Sequence, residues 1–151
     1  MIPLPSQLVI MRIIDKLSAI NVAYKVRRFM TKLSKVFFWS GVILILVIGL
    51  IHVIDAKDSF SDAVYKGWLF YANGAAAIIS ACGIYRKHFW GWNFGLMIAV
   101  GSFGGYVASR TVGLPFIPAE PDAWFEPLGV AAMIAEVLFV VVFIGKRVVK
   151  L

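Results

Sequence analysis

The stretch that decides the fold is VFFWSGVILILVIGLIHVI, residues 36–54. It carries no charge, and its length matches the roughly 20 helical residues needed to cross a bilayer core about 30 Å thick. Lipid offers no water to the backbone, so a run of this kind has to close its hydrogen bonds within itself, as a helix. Reading outward, three more apolar stretches follow, at about residues 67–85, 89–108 and 125–144. Polar breaks separate them: DAKDSFSD, RKH and SRTVGLPFIPAEPDAW. The expected fold is therefore all-α, a polytopic membrane protein with a four-helix transmembrane bundle over residues 36–151.

Composition points the same way. Of 151 residues, 61% are apolar and 15% charged, with mean hydropathy +0.87. Soluble domains average about 45–50% apolar and about 25% charged, so an ordinary water-soluble fold is excluded. The net charge of +7 would suggest nucleic acid in a soluble chain. Here it reads as cytoplasmic flanks and contact with anionic lipid, with no nucleic-acid partner. Cys82 is the single cysteine, which leaves no internal disulfide and no cysteine-based metal cluster.

Topology follows from the basic residues. Arg12, Lys16, Lys25, Arg27, Arg28, Lys32, Lys35, Arg86, Lys87, Lys146, Arg147 and Lys150 fall on one side, against Lys57, Lys66 and Arg110 on the other. The positive-inside rule then predicts both termini in the cytoplasm and a multi-pass protein of the cell membrane. Asp55, Asp58, Asp62, Glu120, Asp122 and Glu126 all fall on the outer side.

Residues 1–35 do not read as a cleavable signal, because the apolar run comes late and the basic residues are spread out. Ile10, Ile13, Ile14, Leu17, Ile20 and Tyr24 recur at helical spacing, with Arg12, Asp15 and Lys16 opposite. A basic amphipathic helix lying on the cytoplasmic leaflet is expected, and docking on a partner subunit would give the same pattern. Trp39, Trp68, Trp90, Trp92, Trp124, Tyr65 and Tyr85 read as an aromatic belt at the span ends.

The short turn Arg86-Lys87-His88 makes the second and third spans an antiparallel hairpin. Small residues line both, including Gly95-x-x-x-Ala99 and Gly101-x-x-x-Gly105. These spacings predict close helix packing inside the bundle rather than a dimer seam.

Few residues carry chemistry. His52 and Asp55 share one helical face at i and i+3 and form an incomplete metal-ligand pair or proton relay. Their plainer role is a hydrogen bond across the bundle and the start of a loop. Glu136 lies mid-span, where a carboxyl group is costly. It is expected to face the interior, neutral, bonded to Asn73 or Ser102, or else to handle a proton or ligand. Asn73, Asn93, Ser80 and Ser102 read as interhelical hydrogen-bond glue, and Cys82 as a small hydrophobe. In the third loop, Pro115, Pro118, Pro121 and Pro127 with Leu114, Phe116 and Trp124 predict an ordered outer cap. Arg110 and Glu126 are expected to clamp its ends. No cofactor is expected, since a bis-histidine haem would need His52 and His88, which belong to opposite faces.

The run SRTVGLP at residues 109–115, then WFEPLGV at residues 124–130 and the acid at Glu136, resembles a group of small four-span prokaryotic membrane proteins, some with a histidine late in the first span. That resemblance implies a four-span fold. In size and topology the chain is also similar to accessory subunits of membrane metalloenzymes, including archaeal ammonia monooxygenase.

With no nucleotide loop, nucleophile–base pair or ligand cluster in the sequence, the leading expectation is a non-catalytic accessory subunit of a larger membrane complex of that monooxygenase type. Other membrane subunits and anionic lipid would be its partners. The alternative is a small channel or carrier for a proton or small molecule using Glu136 and His52. That alternative is expected to need oligomerisation, because four helices alone enclose little space. The topology has a direct check. In a Cys82→Ala background, a cysteine placed at Asp58 or at Asp122 should react with an impermeant thiol reagent only from the external side.

Overall fold

The computed structural model describes the backbone of residues 5–149 and the side chains of Met11 and residues 15–149. It contains four long helices: α1 (Pro5–Asp62), α2 (Val64–Tyr85), α3 (Phe89–Thr111) and α4 (Pro127–Val148). A single 3-10 turn (Pro121–Ala123) lies in the loop before α4. No strand occurs among the described residues. The chain divides into two compact units, Met1–Val36 and Phe37–Leu151.

The first unit is the helical N-terminal part of α1. Leu17, Ile20 and Tyr24 are exposed on the expected apolar face. The side chains of Ile10, Arg12, Ile13 and Ile14, also expected to form that amphipathic helix, lie outside the described residues. Val22, Val26 and Phe29 are exposed too. They form a second stripe at i, i+4, i+7, which at 100° per residue lies across the helix from the first.

The second unit is an up-and-down bundle. α1 ends at Asp62 because Ala63 is extended (φ −163°, ψ 139°), and α2 starts at the next residue. α2 turns into α3 through Arg86, Lys87 and His88, with Lys87 at φ 59° and the His88 N–H donating to the Gly83 carbonyl. Gly113, at φ +83°, caps α3 by donating its N–H to Ala108. Only glycine takes this left-handed cap without strain. Pro127 occupies the first turn of α4, where its missing N–H costs nothing.

Helices α1, α2 and α4 are long and apolar enough to cross a membrane. α3 has the same length, but Trp90, Trp92, Asn93 and its five glycines dilute its apolar character. The outward faces carry Ile43, Leu50, Ile54, Ile78, Val100, Leu138 and Val141, all exposed. A surface this apolar is incompatible with water as its only solvent.

The core joins Ile45 and Ile48 of α1, Ala77 and Ile84 of α2, Ala99 and Trp92 of α3, and Phe139 of α4. Trp92 corrects the sequence reading. It is 4% exposed, stacks within 5.8 Å of Phe139 and packs against Gly41, so it belongs to the core and not to an interfacial belt. Trp39, Trp68 and Tyr85 are exposed.

Backbones meet most closely where α2 meets α3. A Cβ on Gly91 would lie 2.4 Å from the Ile84 nitrogen and 2.5 Å from the Gly83 carbonyl carbon. A Cβ on Gly49 of α1 would lie 2.6 Å from the Ala77 Cβ, with the Gly74 backbone at an ordinary 3.5 Å. Ser80 locks the α2–α3 hairpin by donating to the Gly91 carbonyl at 2.9 Å. Gly101, Gly104 and Gly105 behave differently from the expectation: nothing lies within 4 Å of a Cβ at any of them. Two glycines of the same helix therefore give opposite predictions. Gly91→Ala should destabilise the chain in detergent by about 1–3 kcal/mol, since only backbone can yield there. Gly104→Ala should be neutral or stabilising by up to about 1 kcal/mol, from helix propensity. Thermal unfolding of the purified variants checks both.

Candidate functional site

The space beside Gly101 and Gly105 is a cavity of about 910 Å³. All four helices contribute to it: Ile51, His52 and Asp55 from α1, Phe70, Asn73 and Ala76 from α2, Ser102 and Tyr106 from α3, and Ala132, Met133 and Glu136 from α4. Leu114, Pro115 and Phe116 of the α3–α4 loop complete its wall. The space is open on one flank, where Leu69, Met97 and Phe116 of its lining are exposed. It exists because of the small residues: glycine and alanine line the wall where large side chains would have met.

Four polar residues singled out in the spans (His52, Asn73, Ser102 and Glu136) are brought together on this cavity. His52 is buried, with Nδ1 2.9 Å from the Ile48 carbonyl. A carbonyl cannot donate, so Nδ1 carries the proton and Nε2 is left as an acceptor. The imidazole edge also meets the Phe70 ring at 5.0 Å. Asp55, one turn further along α1, sits on the same cavity. Among the described residues, no group of three or more His, Cys, Asp or Glu side chains is arranged to hold a metal, so the pair His52 and Asp55 stays incomplete.

Glu136 is 2% exposed, and its Oε2 has no hydrogen-bond partner. The expected bond to Asn73 or Ser102 is not made. Asn73 Nδ2 donates instead to Ser102 Oγ, joining α2 to α3 directly. Asn73 Oδ1 is then a second buried acceptor without a partner. Asn93 is not in this group. It lies at the opposite end of the bundle, where Arg147 Nη2 donates to its Oδ1 at 3.0 Å and links α3 to α4. Cys82 is exposed and plays no part in the cavity.

A second, more polar cavity of about 920 Å³ adjoins the first, sharing Asp55, Lys66, Phe70, Tyr106 and Gly129 with it. Asp58, Asp62, Arg110, Glu120, Asp122 and Glu126 line the rest. Arg110 is 5% exposed and forms ion pairs with both Glu120 and Glu126. Its guanidinium lies 4.9 Å over the Tyr106 ring, and the Tyr106 hydroxyl donates to the Trp124 carbonyl at 3.0 Å. The clamp expected from Arg110 and Glu126 thus holds a third point, Glu120. Tyr65 ties α2 to the same loop by donating to the Pro115 carbonyl. The loop itself folds on a tight turn in which Leu114 and Ile117 exchange both backbone hydrogen bonds.

Sequence reasoning missed Glu120, Tyr106 and Phe70. Tyr106 had a usable signal, since it precedes Arg110 by four residues and so shares its helical face. Glu120 had none, because its partner is reached only through the fold of the loop. Compared with known proteins, the chain matches no family model, no curated protein and no solved structure.

Arg110 supports the loop more than either carboxylate does. Arg110→Ala should cost about 1–3 kcal/mol, less than the cost of breaking a fully buried pair because both glutamates are half exposed. Arg110→Lys should restore little, since an ammonium lacks the planar fork that reaches two carboxylates while stacking on a ring. Hydrogen exchange over residues 112–126 should accelerate in both variants.

Proposed function

We propose that this chain is a four-span protein of the cell membrane, with both termini cytoplasmic, that carries a small apolar-bodied molecule in its intrabundle cavity. One observation supports this best: polar side chains from all four helices converge on a single cavity whose wall is otherwise apolar. Drug-sized ligand sites have this character and a volume of roughly 300–1,000 Å³. Buried, unpartnered polar atoms such as Glu136 Oε2 and Asn73 Oδ1 are uncommon in finished cores. In a membrane span an ionisable residue marks function more often than packing. In this reading the acidic second cavity opens to the outside, under the loop held by Arg110.

A second reading makes the chain a non-catalytic subunit of a larger membrane complex, such as an ammonia monooxygenase-type assembly. It is supported by the N-terminal helix, whose exposed Leu17, Ile20, Val22, Val26 and Phe29 offer apolar surface on two sides for neighbouring subunits. Lys25, Arg27, Arg28, Lys32 and Lys35 on the same segment suit anionic headgroups, worth about 1 kcal/mol each near such a surface.

Binding to the isolated chain separates the two. Purified protein in nanodiscs should bind 2-phenylethanol saturably, and Gly101→Leu, which fills the cavity where no atom stands in the way, should weaken that binding at least tenfold. Co-purification with larger subunits, together with no saturable binding of any small probe by the chain alone, would decide for the subunit reading.

A further inference from the structure

The carrier reading leaves the chemistry of the cargo open, and the polar inventory of the two cavities narrows it. The first cavity presents acceptors. Glu136 Oε2 and Asn73 Oδ1 are buried without partners, and His52 offers Nε2, since Nδ1 is committed to Ile48. Among the donors, Ser102 keeps its hydroxyl proton, since its Oγ accepts from Asn73, while the tyrosines are committed. Tyr65 donates to Pro115 and Tyr106 to Trp124, while the Asn73 amide donates to Ser102. Lys66, the one basic side chain of its wall, is ion-paired with Asp62 and lies 5.8 Å over the Phe70 ring.

Charge agrees with this count. The adjoining cavity carries Asp55, Asp58, Asp62, Glu120, Asp122 and Glu126 against Lys66 and Arg110. Both bases are already paired. A mouth of that sign raises the local concentration of cations and repels anions. Phe70 and Tyr106 line both cavities, but each ring already faces a cation, Lys66 and Arg110, so recognition of an organic cation falls to the buried acceptors. A bare metal ion fits poorly, because no set of three ligating side chains is assembled among the described residues and most of the wall is apolar.

We infer that the cavity takes an organic ammonium: a primary or secondary amine, protonated, attached to an apolar body of modest size. This inference rests on the carrier reading. The ammonium group donates to Glu136 and to the Asn73 carbonyl oxygen. Glu136, expected neutral while the site is empty, releases its proton through the aqueous mouth as the cation enters, and the resulting carboxylate supplies the compensating charge. The hydrocarbon part lies along Gly101, Ala76 and Ala132. The acidic mouth collects the cation, and the buried acceptors retain it.

Three probes of one shape decide the matter: 2-phenylethylamine, 2-phenylethanol and phenylacetate, titrated into the full chain in nanodiscs of zwitterionic lipid at neutral pH. The amine should bind at least tenfold more tightly than the alcohol, and phenylacetate most weakly. Glu136→Gln should remove the preference for the amine over the alcohol. Gly101→Leu should weaken all three. If the alcohol or the acid binds as tightly as the amine, the ammonium assignment is overturned and the carrier reading stands. Retention of the full amine preference in Glu136→Gln overturns the assignment in the same way. If none of the three binds saturably, both fall. The ranking on the unmodified chain decides the outcome even if Glu136→Gln does not fold.

Discussion

The contact on which the bundle depends is the meeting of backbone with backbone between α2 and α3, at Gly83 and Gly91. Among lipid tails, burying one more leucine gains almost nothing, because the surroundings are as apolar as the side chain. Helices are then held by dispersion at close range and by hydrogen bonds between them. The Gly83–Gly91 approach supplies the first, and Ser80 donating to the Gly91 carbonyl supplies the second. Close approach at this end also sets where the helices separate. One helix carries Gly91 and Gly95 against its neighbours and Gly101 and Gly105 against nothing. The tight end and the cavity are two consequences of the same small-residue composition.

This is also where the sequence is hardest to read. The apolar runs and the turn at residues 86–88 are legible, because length and polarity decide them with little help from tertiary structure. The spacing Gly101-x-x-x-Gly105 looks the same as a packing motif. A missing side chain permits contact, but whether a neighbour arrives depends on the rest of the bundle. Trp92 is misplaced by the sequence for a related reason. Nearness to a span end allows an interfacial tryptophan, yet Gly41 opposite makes room for it in the core.

The polar site is legible as a set of residues and not as a set of bonds. Glu136, Asn73, Ser102 and His52 stand out because polar atoms are costly at that depth. Who pairs with whom is not available from spacing, since Asn73 and Ser102 lie on different helices and bond to each other. That pairing is what leaves Glu136 without them. Arg110 shows the opposite case. Its bond to Glu126 is expected from the ends of two helices, while Glu120 enters through a loop path that no periodicity describes.

The order of chain positions in the bundle has a consequence for how the protein is made. The α2–α3 hairpin closes over a gap of a few residues and needs no other helix, so it can form as soon as both segments have left the ribosome. The carboxyl of Glu136 has no such local refuge. Entering lipid alone, α4 would carry that group at a cost on the order of 3 kcal/mol. Beside α1–α3 it lines a cavity with His52, Asn73 and Ser102 in place of lipid, although its Oε2 still has no hydrogen-bond partner. Of the four helices, α4 is therefore the one that, in the proposed membrane arrangement, gains most from the other three being in place.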